Sequence, residues 1–149
     1  MKLVVTTPLA IVVEVEDIRH LRAEDESGSF GIRPGHADFL TALAVSVLTW
    51  RDGAGGEHHV AVRGGVLEVQ DGRTVAVASR EAVAGDDLQW LEKEVLTSFH
   101  RRLEEERAAR IDSHRLYLNA IRQIYRYLRP EAAAGGGPPL SGPRAGASQ

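Results

Sequence analysis

The chain has 149 residues, of which 43% are hydrophobic and 26% are charged, and it contains no cysteine. This composition is typical of one globular domain with an appendage, and the lack of cysteine excludes disulfides and thiolate metal sites. The net charge of −3 gives no electrostatic reason to expect a nucleic-acid partner. No apolar run approaches the roughly 18–20 residues that span a bilayer, so we expect no direct membrane insertion.

Residues 1–84 have the pattern of a β domain. Short segments rich in valine and isoleucine alternate apolar with polar residues, so each strand can bury one face and expose the other. An Asp71-Gly72 pair between two apolar runs indicates a tight hairpin. Many short strands joined by such turns predict an all-β sandwich or barrel. The predicted strands are Leu3–Thr6, Ile11–Glu16, Ile18–Glu24, Val45–Arg51, Glu57–Arg63, Val66–Gln70 and Arg73–Ser79.

Residues 85–129 have the pattern of a helical region. Asp86 and Asp87 suit a helix start, and apolar residues then recur at three- and four-residue steps. Because Asp112-Ser113 can cap a second helix, we predict a helical hairpin with a break near residues 109–113. Neither glycine nor proline marks that break, so one long helix is the alternative.

Residues 130–149 have the composition of a tail. Proline, glycine and alanine supply 14 of these 20 residues. Such a segment buries too little apolar surface to offset the entropy lost on ordering. We therefore predict that this tail is disordered.

The sequence lacks the common motifs of catalysis and cofactor binding. It contains no Walker-type phosphate loop and no dinucleotide-binding fingerprint. The adjacent His58 and His59 are expected on opposite faces of one strand, where they cannot easily chelate a single ion. No nucleophile, base and orienting acid form a recognisable arrangement, so we expect no catalytic residue and no metal site.

The stretch from Gly28 to Leu43 combines a tight corner with an apolar strand. Gly31 and Gly35 permit backbone angles that other residues resist, and Pro34 fixes a bend. The stretch resembles the G-x-x-G-I-x-P-G-H-A-x-x-L-T-A-L signature of the epsilon subunit of F-type ATP synthases, which is called delta in mitochondria. A second stretch, Val60–Val69, resembles the v-x-G-G-x-L-E-V segment of the same family.

The resemblance implies a flattened sandwich of about ten strands followed by a C-terminal helical hairpin. It implies a non-catalytic part of the central stalk, which couples proton or sodium translocation to ATP synthesis and hydrolysis. The implied partners are the gamma subunit, the membrane rotor c-ring and, through the C-terminal helices, the catalytic alpha and beta subunits. The implied location is the cytoplasmic side of the bacterial plasma membrane, as a peripheral component of the complex.

The resemblance also assigns candidate contact residues in two regions. The corner that faces the rotor ring and gamma supplies the first group, Ser29, Phe30, Ile32, Arg33, His36 and Phe39. The second group comprises Arg115, Arg122 and Arg126, in a basic segment that is expected to inhibit ATP hydrolysis. Some bacterial members bind ATP between the two helices, and the same three arginines are the candidate contacts for such a regulatory ligand.

Two departures from the family pattern predict a divergent branch. Ser29-Phe30 stands where the family often has an acidic residue at the ring-facing turn. The first helix carries Asp87–Leu91 where the I-D-x-x-R-A sequence associated with nucleotide binding is expected. The alternative function is a free-standing β-sandwich that binds proteins and carries a coiled-coil arm, and a small hydrolase is a third. Co-purification with the other synthase subunits distinguishes the first two hypotheses.

Overall fold

We describe residues 1–128 of the chain in a computed structural model, where the chain forms two units, Met1–Glu106 and the residues from Arg107 onward. The strands are β1 Lys2–Thr6, β2 Ile11–Val15, β3 Ile18–Asp25, β4 Gly28–Ile32, β5 Phe39–Asp52, β6 Glu57–Gln70, β7 Thr74–Ala78 and β8 Ala82–Gly85. The helical segments are α1 Leu88–Trp90, a π-helical turn at Leu91–Val95, and α2 Leu96–Leu128.

The strands form one sheet that folds over at β5 and β6 into two layers. The strand order is β2-β1-β7-β6-β5-β3-β4, and β8 also pairs with β6. The first layer contains β2, β1, β7, the second half of β6 and the first half of β5. The second layer contains β4, β3, β8 and the other halves of β5 and β6. The two long strands therefore join the layers of the sandwich.

Gly64 and Gly65 lie in the middle of β6, where the sheet folds over. Their φ angles are 66° and 121°, in the region that favours glycine. A Cβ atom on Gly65 would lie 2.1 Å from the carbonyl oxygen of Ala78. Val62 faces the core before the pair and Leu67 faces it afterwards, although an odd number of positions separates them. The glycine pair thus reverses which side of the strand faces inward.

One apolar core fills the space between the two layers. Its members come from both layers, and most are completely buried, as the alternation of the strands predicts. The core residues are Leu3, Val5, Val13, Ile18, Leu21, Ala23, Ile32, Leu43, Leu48, Trp50, Val60, Val62, Leu67, Val69, Val75 and Val77.

The helical segment covers the outer face of the second layer. Leu91, Val95 and Phe99 recur at four-residue steps on one helix face and are buried against Ala61 of β6. Ala61 lies between two core valines, so this half of β6 is buried on both faces. Full burial of each large apolar side chain contributes about 1.5–3 kcal/mol to stability. The first turns of the helical segment are therefore an integral part of the sandwich unit.

The predicted all-β sandwich is confirmed, although the described residues contain eight strands where about ten are expected. β5 and β6 each run for 14 residues through both layers, so counting each of them twice gives the expected ten. The sequence pattern also predicts that the stretch from Gly28 to Leu43 is a turn-rich corner that enters an apolar strand, but the beginning of this stretch, Gly28–Ile32, is in fact β4. Gly31 fits there because its missing side chain leaves room for the His20 ring, 2.9 Å from the position of a Cβ atom.

The prediction of a helical hairpin with a break near residues 109–113 is wrong, and the alternative prediction of one long helix is correct. α2 runs without interruption from Leu96 to Leu128. The segment between the expected helices is rich in alanine and arginine, which are strong helix formers, and contains no glycine or proline. Asp112 and Ser113 consequently lie inside the helix instead of capping one. The predicted disordered tail, 130–149, lies outside the described residues.

Candidate partner interface

The predicted contact residues of the corner are divided between two sides of β4. Ile32 is completely buried in the core, so it cannot contact a partner, and the prediction is wrong for this residue. Alternation puts Phe30 on the same side, where it packs partly buried against the core. Ser29 and Arg33 are exposed and alternate toward the other side. The motif did not reveal this division because its segment resembles a turn more than a strand.

Phe30, His36 and Phe39 form an aromatic cluster at the corner. The Phe30 and Phe39 rings pack edge to face with centroids 5.6 Å apart, and the His36 and Phe39 rings lie 5.9 Å apart. His36 is oriented by its Nδ1, which donates a 2.7 Å hydrogen bond to the carbonyl oxygen of Ala37. Phe39 remains 36% exposed. Such edge-to-face pairs stabilise the corner and leave part of one ring open to a partner.

The corner is anchored on the turn between β6 and β7. The backbone N–H of Gly35 donates to the carbonyl oxygen of Gly72 at 2.8 Å, and the N–H of Asp71 donates to Oδ1 of Asp38 at 2.8 Å. The φ angles of Asp71 and Gly72 are 53° and 61°, as a tight primed hairpin turn requires. The predicted Asp-Gly hairpin is thereby confirmed, and it holds the corner in place.

The outer face of the first layer is apolar and exposed. Leu40 is 67% exposed and Val66 is 48% exposed. Cross-strand pairing places them in two adjacent rows, Ala42-Val66-Ala78-Thr6 and Leu40-Glu68-Ala76-Val4. Apart from Glu68 and Thr6 these rows are apolar, and exposed apolar surface of this kind marks partner-binding sites on soluble proteins. We call these two rows the apolar face.

The two outer faces of the sandwich differ in what covers them. The helical segment buries Ala61 and its neighbours on the second layer. In contrast, Leu40 and Val66 on the first layer stay exposed in the described residues. The apolar face is therefore the surface of the sandwich that is best suited to a protein partner.

A network of charged side chains joins the start of α2 to the sheet. Arg63 Nη1 lies 2.8 Å from Oε1 of Glu106, and Arg63 Nε lies 3.3 Å from Oε2 of Glu81. Arg102 also pairs with Glu81, and Arg80 Nη1 lies 3.1 Å from Oε2 of Glu106. The Arg63 side chain is only 11% exposed, so its two carboxylates hold it in a partly desolvated position. We call these five residues the ionic network.

The predicted helical contacts, Arg115, Arg122 and Arg126, lie on one side of α2. At 100° per residue they fall within about 40° of one another. All three are exposed. An exposed apolar stripe runs beside them and comprises Ile111, Leu118 and Tyr125. A basic stripe beside an apolar stripe is typical of a helix that docks into a groove of a partner.

His58 and His59 face in opposite directions, as the strand pattern predicts. The ring of His58 stacks on Trp50 with centroids 5.5 Å apart, and its Nε2 lies 2.9 Å from Oδ2 of Asp52. That hydrogen bond is the largest cause that holds the pKa of Asp52 below its ordinary value. The buried His59 instead shares a 2.9 Å hydrogen bond with the Thr49 hydroxyl. Among residues 1–128, no cluster of three His, Cys, Asp or Glu side chains is arranged to hold a metal ion.

A two-layered sandwich with an apolar face and an exposed helical arm defines a class of protein-binding modules. Residues 1–85 of the chain match the family described as the β-sandwich domain of the ATP synthase delta/epsilon chain. The chain therefore belongs to the delta/epsilon chain family of ATP synthase, as its two sequence motifs predict.

Close relatives extend the match beyond the sandwich. ATP synthase epsilon chain 2 of Paraburkholderia xenovorans is 46% identical over 130 residues, which cover 87% of this chain and 94% of the relative. Epsilon chain 2 of Cereibacter sphaeroides is 48% identical over 124 residues, covering 83% and 85%. A chain in the mitochondrial ATP synthase of Euglena gracilis shares the fold, with a TM-score of 0.54 at 24% identity, over 71% of this chain and 62% of that chain.

The sequence motifs did not point to the apolar face or to the ionic network. The signal for the apolar face is present, because Leu40 and Ala42 alternate with inward-facing residues, as do Val66 and Glu68. Which side of the strand faces inward depends on the reversal at Gly64-Gly65, and the sequence pattern alone does not reveal that reversal. The ionic network joins residues 43 positions apart, and no local spacing predicts such a pair.

Proposed function

We propose that the chain is a non-catalytic subunit of the ATP synthase central stalk, which helps to couple ion translocation to ATP synthesis and hydrolysis. The observation that carries this proposal is the apolar face on a sandwich of the delta/epsilon family. A stalk component that turns with the rotor needs a lasting interface, and lasting interfaces are more apolar than the average protein surface. Leu40 and Val66 supply the largest exposed side chains of such a surface.

The gamma subunit is the proposed partner for the apolar face. The two rows contain small alanines beside larger side chains, so a partner helix or strand can approach the sheet closely. The corner cluster of Phe30, His36 and Phe39 lies at the start of β5, which also carries Leu40. We assign this corner to contact with the c-ring and the adjoining part of gamma. Ser29 and Arg33 are the exposed polar members of that contact.

The basic stripe and the apolar stripe on α2 are together proposed to inhibit ATP hydrolysis by docking on the catalytic alpha and beta subunits. Arg115, Arg122 and Arg126 provide charge for acidic loops, and the adjacent apolar stripe provides buried area. The charges and the apolar residues lie on neighbouring sides of one helix, so one groove can receive both. ATP binding at the same arginines stays a prediction.

The proposed location is the cytoplasmic side of a bacterial plasma membrane, reached through the complex. Within residues 1–128 no helix is long and apolar enough to cross a membrane. Attachment through gamma and the c-ring gives the chain its place at the membrane. The coupling ion, proton or sodium, is determined in other subunits.

Co-purification tests the proposal against the alternative of a free-standing binding module. A tagged full-length chain is expressed in a host that lacks its own epsilon subunit, and the membranes are solubilised in mild detergent. The proposal predicts that gamma, alpha, beta and c subunits are recovered with the tagged chain. Recovery of the chain without gamma would favour the free-standing module.

Hydrolysis assays test the inhibitory role separately. The assembled soluble head is assayed with the full chain and with a chain that ends at Gly85. We expect faster hydrolysis with the shortened chain, and an intermediate rate with the triple variant R115Q/R122Q/R126Q. A matched control, R101Q, removes an exposed arginine nearer the start of α2 and should leave the rate unchanged. Equal rates with all chains would remove the inhibitory role.

A further inference from the structure

A basic cavity lies on the outer face of the second layer, beside the start of the helical segment. Its volume is about 430 Å³, and its lining includes His20, Arg22, Arg33, Arg51 and Glu57. The lining thus carries three guanidinium groups and one carboxylate. This cavity belongs neither to the apolar face nor to the basic and apolar stripes of α2, and it shares only Arg33 with the corner.

The fold places these basic residues together for identifiable reasons. Leu21 of β3 faces the core, so its neighbours His20 and Arg22 face outward. Arg51 of β5 pairs with His20 in the strand register. Gly31 of β4 leaves room for the ring of His20, as a Cβ atom there would lie 2.9 Å from Nε2. The cavity is therefore built mainly on the paired strands β3, β5 and β6, and Arg33 joins it from the position directly after β4.

The charges of the cavity are incompletely compensated within the described residues. Arg51 Nε lies 3.2 Å from Oε2 of Glu57, which neutralises one guanidinium group. Among residues 1–128, no ion pair joins Arg22 or Arg33 to a carboxylate. The cavity consequently keeps two positive charges that an anion can neutralise, and His20 adds a further donor.

We propose that this cavity binds a phosphate-bearing anion, with Arg22 and Arg33 as its main ligands. A guanidinium group presents donors in a planar fork that matches two phosphate oxygens at once. Two such groups, one on β3 and one directly after β4, can bind different oxygens of one phosphate or diphosphate group. Thr49 and Leu88 complete the lining.

Calorimetric titration of the purified full chain with inorganic diphosphate tests the proposal. At an ionic strength of about 50 mM, where charge attraction is weakly screened, we expect saturable binding. The double variant R22Q/R33Q should weaken that binding at least tenfold. The matched control R19Q/R73Q removes the same net charge from exposed positions outside the cavity lining, and it should change affinity by less than twofold. Circular dichroism establishes that both variants keep the fold.

A second arm distinguishes a free phosphate compound from a lipid headgroup. Sedimentation with phosphatidylcholine vesicles, with and without an anionic phospholipid, measures lipid binding by the wild type, R22Q/R33Q and R19Q/R73Q. Each of the three proteins sedimented without vesicles is the control. Binding of diphosphate or of anionic vesicles that R22Q/R33Q loses and the control keeps supports the site, and it identifies the source. No saturable binding to either, or equal loss in both variants, would overturn it. Because these assays use the isolated chain, their result is independent of assembly into the synthase.

Discussion

Nη1 of Arg63 in β6 donates a charge-assisted hydrogen bond of 2.8 Å to Oε1 of Glu106 in α2, which joins the sheet to the helix. Because Arg63 also pairs with Glu81, its removal leaves two carboxylates close together. We expect R63A to lower the free energy of unfolding by on the order of 2 kcal/mol, because Glu81 and Glu106 lose their most buried partner and keep only the exposed Arg102 and Arg80. Urea unfolding of the full chain measures this change.

The control for the ionic network is R80A, which removes an arginine that also pairs with Glu106 but is 60% exposed. Exposed ion pairs contribute only about 0–1 kcal/mol. We therefore expect a much smaller effect than that of R63A. If both substitutions lower stability equally, burial of Arg63 is not what gives the ionic network its strength.

Replacing Gly65 with alanine should disrupt the fold-over of β6. The new Cβ atom would lie 2.1 Å from the carbonyl oxygen of Ala78, at a φ angle of 121°. We expect a loss of at least about 3 kcal/mol, which exceeds the cost of an unfavourable backbone angle alone. Gly55 is the control, because it has a φ angle of 86° but nothing within 4 Å. G55A should cost about 1–2 kcal/mol, and thermal unfolding compares the two variants.

The sandwich is expected to fold without the helical segment, but with lower stability. A chain that ends at Gly85 keeps the complete core between the layers and loses the cover over Ala61. We expect a cooperative transition at reduced urea concentration. F99A in the full chain should lower stability by about 3 kcal/mol through the same surface, whereas L116A, at an exposed position, should change it by less than about 0.5 kcal/mol. A shortened chain that shows no cooperative unfolding would contradict this expectation.

Asp25 should make stability depend on pH in the acid range. Its carboxylate accepts hydrogen bonds from the Ser27 hydroxyl at 2.6 Å and the Thr41 hydroxyl at 2.8 Å. These bonds, that from Ser27 first, hold its pKa below the ordinary value of 3.8. A lowered pKa in the folded state stabilises the protein above the unfolded pKa, and this stabilisation disappears as pH falls through the folded value.

The test compares the wild type with D25N across pH. We expect a constant stability difference from pH 7 to about pH 5, followed by a decrease below about pH 4. E26Q is the control, because it removes the same charge from the next, exposed residue. A difference between wild type and D25N that stays unchanged down to about pH 2.5 would show that the carboxylate hydrogen bonds do not stabilise the fold.

The sequence predicts most of the sandwich because local alternation determines which residues form strands. It also predicts the Asp71-Gly72 hairpin, since that turn needs two residues with positive φ angles. It fails at β4, because a glycine at position 31 suggests a turn in the sequence. In the structure this glycine lies within a strand, where its missing side chain leaves room for the His20 ring. It also fails at residues 109–113, because polar residues inside a helix resemble a cap.

The candidate site is less predictable than the fold. The family motif leads to Phe30, His36 and Phe39, which do come together at the corner. It includes Ile32, which is conspicuous in the motif and belongs to the core. It omits Val66, whose exposure depends on the reversal of β6 at the preceding glycines. Which residues reach the surface depends on which side of each strand faces inward, and the packing of both layers together determines that side.

The affinity of the full chain for the purified gamma subunit tests the central claim most directly. The double variant L40E/V66E puts two charges on the apolar face, and burying unpaired charges is costly. We predict that its dissociation constant for gamma rises at least about 100-fold, equivalent to roughly 2.7 kcal/mol. The control L9E/A54E adds the same charge at two exposed turn positions, and its affinity should stay within about threefold of the wild type. Wild-type affinity of L40E/V66E for gamma would contradict the assignment of the apolar face as the stalk interface.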